Sequence, residues 1–146
     1  MIDDSQEIAK KLYGNRLRVR ICGICIEDGK ILLVNHRGVI SSQDVWLPPG
    51  GGLEAGETIT ACLEREFLEE TGLVIEVEKF LFKREFIHLP LHAIELFFQV
   101  KVQSGELRKG TDPELDEANQ LIKDLRWIPI ENKTFLAEDL YLAINA

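Results

Sequence analysis

Glutamate residues are concentrated in the stretch from Gly51 to Leu73, which holds six of them in 23 positions. If this stretch is helical, Glu66, Glu69 and Glu70 stand at i, i+3 and i+4, so three carboxylates share one helix face. Like charges repel there, and a helix that carries them usually has a cation to offset the repulsion. Hard oxygen ligands of this kind suit Mg²⁺ or Mn²⁺ rather than a soft metal.

The element that must position these carboxylates is predicted to be a helix from about Thr58 to Thr71. Thr58 is a good N-cap residue, and Gly72 supplies the left-handed residue that ends a helix. Apolar residues at i, i+4 and i+8 can hold the helix on a core, and they are Ile59, Leu63 and Phe67. The carboxylates are then expected at the rim of that core.

Before the helix, residues 48–52 read Pro-Pro-Gly-Gly-Gly, which predicts a stiff turn followed by backbone free to adopt positive φ. The exposed peptide groups of such a loop, including that of Gly51, can approach a metal or a phosphate closely. Arg65 is within reach of Glu69 on the helix and of Glu57 across the loop–helix junction.

From Gly51 to Leu73 the sequence has the spacing G-x5-E-x7-R-E-F-x-E-E-x-G-L. This spacing resembles the Nudix box, the signature of hydrolases that cleave nucleoside diphosphates linked to another group. Every polar and glycine position matches, and Trp46 with the Pro-Gly pair at residues 49–50 extends the likeness upstream. The one departure is Phe67, where the family usually places a branched aliphatic residue, which concerns packing rather than chemistry.

The resemblance implies an α+β fold, a Nudix-like α/β/α sandwich with a mixed β-sheet, whereas periodicity alone gives only α+β. We expect one domain over residues 1–146, with residues 1–14 as a candidate peripheral extension. Homodimerisation is common among similar proteins, and the sequence neither shows nor excludes it.

The resemblance also implies roles for the residues of the box. Metal ions are expected on Glu66, Glu69, Glu70 and the carbonyl of Gly50. Arg65 and Glu57 are expected to orient these groups from behind. The same residues Glu57, Arg65, Glu66 and Glu69 therefore form the expected catalytic set.

Two further roles fall outside the box. The family places its general base either in the box or on a later loop, so Glu69 or a loop acid such as Glu117 would serve. Arg37, near the end of a predicted strand, is a candidate for contact with substrate phosphate, beside the peptide groups at Gly51.

The function implied is a metal-dependent hydrolase that cleaves a pyrophosphate bond in a nucleoside diphosphate derivative. Candidate substrates are ADP-ribose or another nucleotide sugar, a damaged nucleoside triphosphate and a dinucleoside polyphosphate. An alternative is a non-catalytic nucleotide-binding sensor or interaction module on the same fold, and a third is a related isomerase.

Composition is that of an ordinary globular protein, and it leaves room for a small phosphorylated substrate if metal ions neutralise the local repulsion. The 146 residues are 45% hydrophobic and 29% charged, and the formal net charge of −8 argues against an extended nucleic-acid surface. There is no apolar run of membrane-spanning length, and the start M-I-D-D-S-Q-E does not resemble a signal peptide. A cytoplasmic location follows as the default expectation.

The rest of the chain predicts a hairpin, two longer strands, a short strand and a final helix. The hairpin joins residues 16–26 to residues 30–35 through Asp28-Gly29, and the longer strands cover residues 74–88 and 92–103. The short strand covers residues 124–128, and the helix residues 129–145. A short amphipathic helix is also predicted over residues 3–13.

Several polar residues outside the box are interpreted as structural. Arg16, Arg18 and Arg20 alternate along the first strand and are expected on a solvated face. Glu95, in an apolar strand, is a candidate extra acid near the metal, but a solvent-facing charge is favoured. His88 and His92 are candidates for substrate contact, but exposure to solvent is favoured for both.

Cys22 and Cys25 are interpreted as buried structural thiols on opposite faces of a strand. No second cysteine pair exists to complete a zinc site. Packing is the favoured role for Trp46, over stacking on a base.

Overall fold

Ten helices and strands are seen in the computed structural model, which describes residue 7 and residues 11–36, 45–109 and 122–146. The strands are β1 (Arg16–Ile24), β2 (Ile26–Glu27), β3 (Lys30–His36), β4 (Val45–Leu47), β5 (Gly50–Gly52), β6 (Leu73–His88), β7 (Leu91–Gly105) and β8 (Ile122–Pro129). The helices are α1 (Ile59–Thr71) and α2 (Glu138–Ile144). Residues 11–13 are also helical, and the rest of the helix predicted over residues 3–13 lies mostly outside the described residues.

The central sheet is mixed, as predicted, with the strand order β5-β1-β7-β6. β1 pairs with β7 in parallel and with β5 in antiparallel orientation, while β6 and β7 form a long antiparallel hairpin. A second sheet has the order β2-β3-β4, and β8 also pairs with β3. The two long strands predicted after the box are confirmed by β6 and β7.

The predicted N-terminal hairpin is only partly correct. β2 pairs with β3 across Asp28 and Gly29, whose φ angles of 51° and 72° are those of a tight hairpin turn. β1, however, ends at Ile24 and belongs to the central sheet, where it pairs with β7 and β5 instead of β3. Pairing between distant strands is not visible in a local pattern, so the sequence could not place β1 correctly.

The helix of the glutamate-rich stretch is confirmed within one residue. The Thr58 hydroxyl accepts a hydrogen bond from the Ala61 N–H at 3.1 Å, which caps the N-terminus. At the other end Gly72 has φ 78°, and its N–H bonds to the carbonyl of Leu68 at 3.1 Å. Both ends are therefore set by the residue types that the sequence supplies.

Two hydrophobic clusters lie on opposite sides of the central sheet. The first holds α1 through Cys62, Leu63 and Phe67, and Ile59 packs at its edge. The second contains residues from α2 and from the segment before it, and it also contains Cys22, Ile24 and Phe97 from the sheet. The sheet therefore lies between helical layers, as the predicted sandwich requires.

The cysteine interpretation is confirmed. Cys22 belongs to the second cluster and Cys25 to the first, so the two thiols lie on opposite sides, and both are free and buried. Burial raises the pKa of each thiol to about 12. Protonated, buried thiols of this kind are chemically inert.

The C-terminal prediction needs two corrections. β8 is longer than the predicted strand, and α2 begins at Glu138 rather than near residue 129. Residues 130–137 contain turns instead, where the Asn132 side chain accepts the Thr134 N–H at 2.8 Å. Leu136 still packs into the second cluster from this turn. No helix among the described residues is both long and apolar enough to span a bilayer.

Phe67, which stands where a branched aliphatic residue was expected, packs against a glycine of β1. The Phe67 ring is fully buried and lies over Gly23, where an added Cβ would come within 2.9 Å of the ring Cζ and 3.2 Å of Val100 Cγ1. The missing side chain of Gly23 therefore makes room for the aromatic ring.

We predict that Gly23→Ala destabilises the protein by about 1–3 kcal/mol, the usual cost of overpacking a core. In a Phe67→Leu background the same change should cost much less, because the ring is gone. Urea unfolding of the unaltered protein, the two single variants and the double variant measures the difference. Equal costs in both backgrounds would show that Phe67 is not what Gly23 accommodates.

Candidate functional site

A cleft with a volume of about 930 Å³ opens between β5, α1 and the face of the central sheet. Among the described residues, five arginines and six glutamates line it. The predicted site residues Glu57, Arg65, Glu66, Glu69 and Glu70 all belong to this lining, and so do Gly50 and Gly51. The structure therefore brings the box residues together in one place.

The glycines of β5 allow α1 to approach the strand closely. The Gly50 N–H donates to Glu70 Oε1 at 2.7 Å. A Cβ on Gly50 would collide with the carbonyl of Ile21, and a Cβ on Gly51 would collide with the Glu66 carboxylate. The missing side chain of Gly50 therefore lets β5 lie close to β1, and that of Gly51 leaves room for the Glu66 carboxylate.

Burial of these carboxylates is electrostatically costly. Burial raises the pKa of Glu70 well above its ordinary value, and the charge of Glu66 adds to this, while the hydrogen bond from Gly50 opposes it. Burial also raises the pKa of Glu66, and the positive charges of Arg65 and Arg20 work against that rise. The carboxylates of Glu66 and Glu70 thus lie close enough in the cleft to repel each other.

Arg65 organises the glutamates around it. Its Nε and Nη2 donate to the two carboxylate oxygens of Glu57 at 2.7 and 2.9 Å, and its Nη1 donates to Glu66 at 2.9 Å. Glu69 lies 3.5 Å from the same Nη1, so both partners predicted for Arg65 are confirmed. The hydrogen bonds from Arg65 lower the pKa of Glu57 to about 2, which keeps this carboxylate ionised.

The donor set fits a hard divalent cation. Glu66, Glu69 and Glu70 offer carboxylate oxygens in one cleft, and a cation there would offset the repulsion that raises two of their pKa values. In the described part of the chain, no three acidic, histidine or cysteine side chains form a ready-made metal cage. One oxygen of Glu66 accepts from Arg65 and one oxygen of Glu70 accepts from the Gly50 N–H.

A row of charged residues crosses the floor of the cleft and was not expected. Arg20, Glu95 and Arg84 lie directly opposite one another on β1, β7 and β6. Arg20 Nη1 and Arg84 Nε donate to the two oxygens of Glu95, the second at 2.8 Å. Glu95 is only 2% exposed, so the solvent-facing interpretation is wrong for it, as is the solvated face for Arg20.

The next row of the floor contains a cationic, a small apolar and an aromatic residue. Arg18, Ala93 and Phe86 are opposite one another on the same three strands and all line the cleft. The Tyr13 ring lies against the Arg18 guanidinium, whose carbon is 3.9 Å from the ring centroid. Arg18 is therefore also part of the cleft rather than of a solvated face.

His36 is a further residue that the sequence did not single out. Its Nε2 lies 3.9 Å from Glu70 Oε2, at the end of β3. Burial, with a smaller effect from the charge of Arg20, lowers the pKa of His36 to about 4, so the imidazole is neutral at neutral pH. Little in the sequence indicated a role for His36, because its partner Glu70 belongs to α1 rather than to a neighbouring part of the chain.

The other predicted positions divide as follows. Arg37 and Glu117 lie outside the described residues, and their roles stay predictions. His92 lines the cleft, whereas His88 is exposed. Trp46 packs edge-to-face on Phe135 with ring centroids 5.5 Å apart, which confirms its packing role.

Comparison with known proteins agrees with this arrangement. The family model of the NUDIX domain matches residues 14–141. The chain belongs to the NUDIX domain family. The family predicted from the box is therefore confirmed over most of the chain, well beyond the box itself.

Curated NUDIX relatives share part of their length with this chain. It is 34% identical over 96 residues to an ADP-ribose pyrophosphatase of Methanocaldococcus jannaschii, covering 64% of this chain and 56% of that protein. It is 40% identical over 65 residues to the nucleoside triphosphatase NudI of an Enterobacter species, covering 42% of this chain and 45% of that protein. The chain thus spans about half the length of these two relatives.

Solved NUDIX structures share the fold. A MutT NUDIX hydrolase from Burkholderia pseudomallei superposes with a TM-score of 0.73 at 22% identity, over 89% of this chain and 97% of that one. A NUDIX hydrolase from Nitrosomonas europaea superposes with a TM-score of 0.70 at 22% identity, over 89% of this chain and 87% of that one. At this identity the likeness shows the fold, and it confirms the predicted Nudix sandwich.

We predict that Glu57→Gln lowers the free energy of unfolding at pH 7 by about 1 kcal/mol, since a charge-assisted pair with Arg65 is lost. The folded-state pKa of Glu57 is depressed, so its contribution is present above the ordinary value of 4.5 and is lost as the pH falls toward about 2. Urea unfolding from pH 7 to pH 3 measures this.

The matched control is Glu64→Gln, because Glu64 is an exposed glutamate on α1. It should change the stability by less than about 0.5 kcal/mol. If the loss in free energy of unfolding caused by Glu57→Gln does not shrink as the pH falls, the effect does not come from the ionised pair.

Proposed function

We propose that the protein is a metal-dependent hydrolase that cleaves a pyrophosphate bond in a nucleoside diphosphate derivative. Water attacks one phosphorus atom, the new P–O bond forms, and the bridging oxygen leaves with the other phosphate. One observation carries the proposal: the carboxylate face of α1 meets a strand of glycines inside a cleft, with Arg65 bound among the acids. Membership of the NUDIX domain family supports it.

Mg²⁺ or Mn²⁺ is the cation that these donors suit. The residues that would hold it are Glu66, Glu69 and Glu70, with the carbonyl of Gly50 as a further oxygen ligand. When bound, a divalent ion neutralises phosphate oxygens and stabilises the leaving group. The buried positions of Glu66 and Glu70 keep water away from their charges, which strengthens their hold on a cation.

The chain's own residues position the reacting groups. Arg65 fixes the carboxylates of Glu57 and Glu66, and Glu57 in turn fixes Arg65 through two hydrogen bonds. The base that takes the proton from water is Glu69 or the loop acid Glu117. The peptide groups at Gly51 lie at the cleft wall and are available to substrate.

A nucleotide is the substrate class that fits the floor of the cleft. The row formed by Arg18, Ala93 and Phe86, with Tyr13 against Arg18, offers a small residue between aromatic and cationic groups. Flat bases stack on such surfaces. The names of the relatives, an ADP-ribose pyrophosphatase and a nucleoside triphosphatase, support the same class.

The testing experiment is phosphate release from a panel with Mg²⁺, with Mn²⁺ and with chelator. The panel holds ADP-ribose, other nucleotide sugars, nucleoside triphosphates, dinucleoside polyphosphates and base-free triphosphate, with a coupling phosphatase to reveal each product. Metal-dependent release from one nucleotide class, and much less from base-free triphosphate, is expected. Metal binding without release across the panel would favour the alternative, a non-catalytic nucleotide sensor.

We predict that Glu69→Gln lowers kcat by about 10²- to 10⁴-fold, the usual contribution of a general base, while the thermal unfolding curve stays the same. Glu117→Gln tests the other base candidate, and Glu64→Gln is the exposed control on α1. Steady-state kinetics over a range of Mg²⁺ concentrations measures the loss.

Recovery of Glu69→Gln at high Mg²⁺ would indicate that Glu69 is mainly a metal ligand. Loss in Glu117→Gln alone assigns the base to the later loop. Full activity in both variants would contradict a carboxylate base at either position.

A further inference from the structure

The charged row on the cleft floor is built from three neighbouring strands. Arg20 on β1 and Arg84 on β6 flank Glu95 on β7, and the pairing registers place all three side by side. Adjacent strands lie about 4.8 Å apart, so the two guanidinium groups converge on one carboxylate from both sides. This is a built arrangement, because Glu95 is 2% exposed and each of its oxygens accepts from a different arginine.

The row marks the place where the second cluster ends and the cleft begins. Cys22 and Phe97 follow Arg20 and Glu95 on the same strand faces and are buried under the α2 side. Arg84 also reaches Asp139 in the first turn of α2, at 3.2 Å, which anchors it at this boundary. The arginines are thus held at the wall of the cleft by the protein rather than by solvent.

The charges of the row do not cancel inside the cleft. Two arginines share one buried carboxylate, and the second acid, Asp139, is 59% exposed and therefore well screened. The row itself therefore carries a net positive charge, and Arg20 lies near enough to the glutamates of α1 to act on the pKa of Glu66 and Glu70. A partly buried positive charge of this kind favours an anion beside it.

Donor groups are also left over. Between described residues, Arg20 uses only Nη1 and Arg84 only Nε and Nη1, so the Nη2 groups of both remain for a ligand. The Arg20 side chain is 16% exposed and that of Arg84 17%, and both line the cleft. Phosphate oxygens are the acceptors that match paired guanidinium donors best.

We infer that Arg20 and Arg84, positioned by Glu95, form an anion subsite for the phosphate of the substrate that lies away from the carboxylate face of α1. The inference rests on the proposed function for the identity of the anion, and it adds a second contact for a diphosphate group. Glu95 is a positioning residue, since both of its oxygens are occupied by arginine.

The subsite and the metal site differ in one measurable respect, which is their need for a cation. Arginines bind a phosphate oxygen without metal, whereas the glutamates of α1 repel it. Inorganic pyrophosphate in the presence of chelator is therefore the probe, with titration calorimetry at low and at moderate salt. Binding to the unaltered protein should weaken as salt is added, because the contact is ionic.

Arg84→Gln should weaken pyrophosphate binding in chelator by about tenfold or more, the effect of losing a charge-assisted hydrogen bond. Arg126→Gln is the matched control. Arg126 is 59% exposed on β8, pairs with Asp124 and does not line the cleft, so its loss should leave binding unchanged.

The double variant Arg84→Gln/Glu95→Gln separates contact from overall charge. It restores the original net charge and leaves no unpaired carboxylate on the floor, which protects the fold. If Arg84 binds the anion directly, the double variant should still bind weakly. If only the net charge matters, it should bind as the unaltered protein does, and that result would overturn the subsite.

Hydrolysis measured on the same proteins keeps the two proposals apart. Pyrophosphate binding that depends on Arg84, without metal-dependent release from any substrate, would reject the hydrolase and keep the subsite. Normal kcat/KM in Arg84→Gln, together with unchanged pyrophosphate binding, would reject the subsite and keep the hydrolase. Thermal unfolding of each variant confirms that the comparison is between folded proteins.

Discussion

The hydrogen bond from the Gly50 N–H to the Glu70 carboxylate is the contact on which the site depends. Glu70 is almost fully buried, so its charge needs a donor, and the backbone of β5 supplies one at 2.7 Å. Gly51 has no side chain that would meet the Glu66 carboxylate, and Gly50 has none that would push β5 away from β1. This contact therefore fixes α1 against β5. The position of α1 in turn sets where its other carboxylates lie.

Two groups of charged residues line the cleft, one dominated by acids and the other by arginines. The acids of α1, with Arg65 among them, form one wall, and Arg20 and Arg84 with Glu95 form the floor across from it. A diphosphate between these surfaces would meet a cation-binding face on one side and fixed positive charge on the other. The arginines of the floor thus give a chain with a net charge of −8 a local region of positive charge.

The local parts of this structure could be predicted from sequence, and the parts that depend on strand register could not. The cap at Thr58, the stop at Gly72 and the spacing of the glutamates are signals within one segment, so α1 and the acid face were predicted correctly. Arg20 and Glu95 each looked like a surface charge, because nothing local shows that β1 runs parallel to β7. Tertiary pairing thus determined which charges became part of the site.

The parallel pairing of β1 with β7 has a consequence for how the protein is made. Arg20 and Glu95 are 75 positions apart, and the whole of α1 and β6 is synthesised between them. Contacts of such long range form slowly, since the loop between them must first be closed. During synthesis β1 leaves the ribosome before β7, so one edge of β1 stays unpaired until β7 follows, and an unpaired strand edge can pair with another molecule.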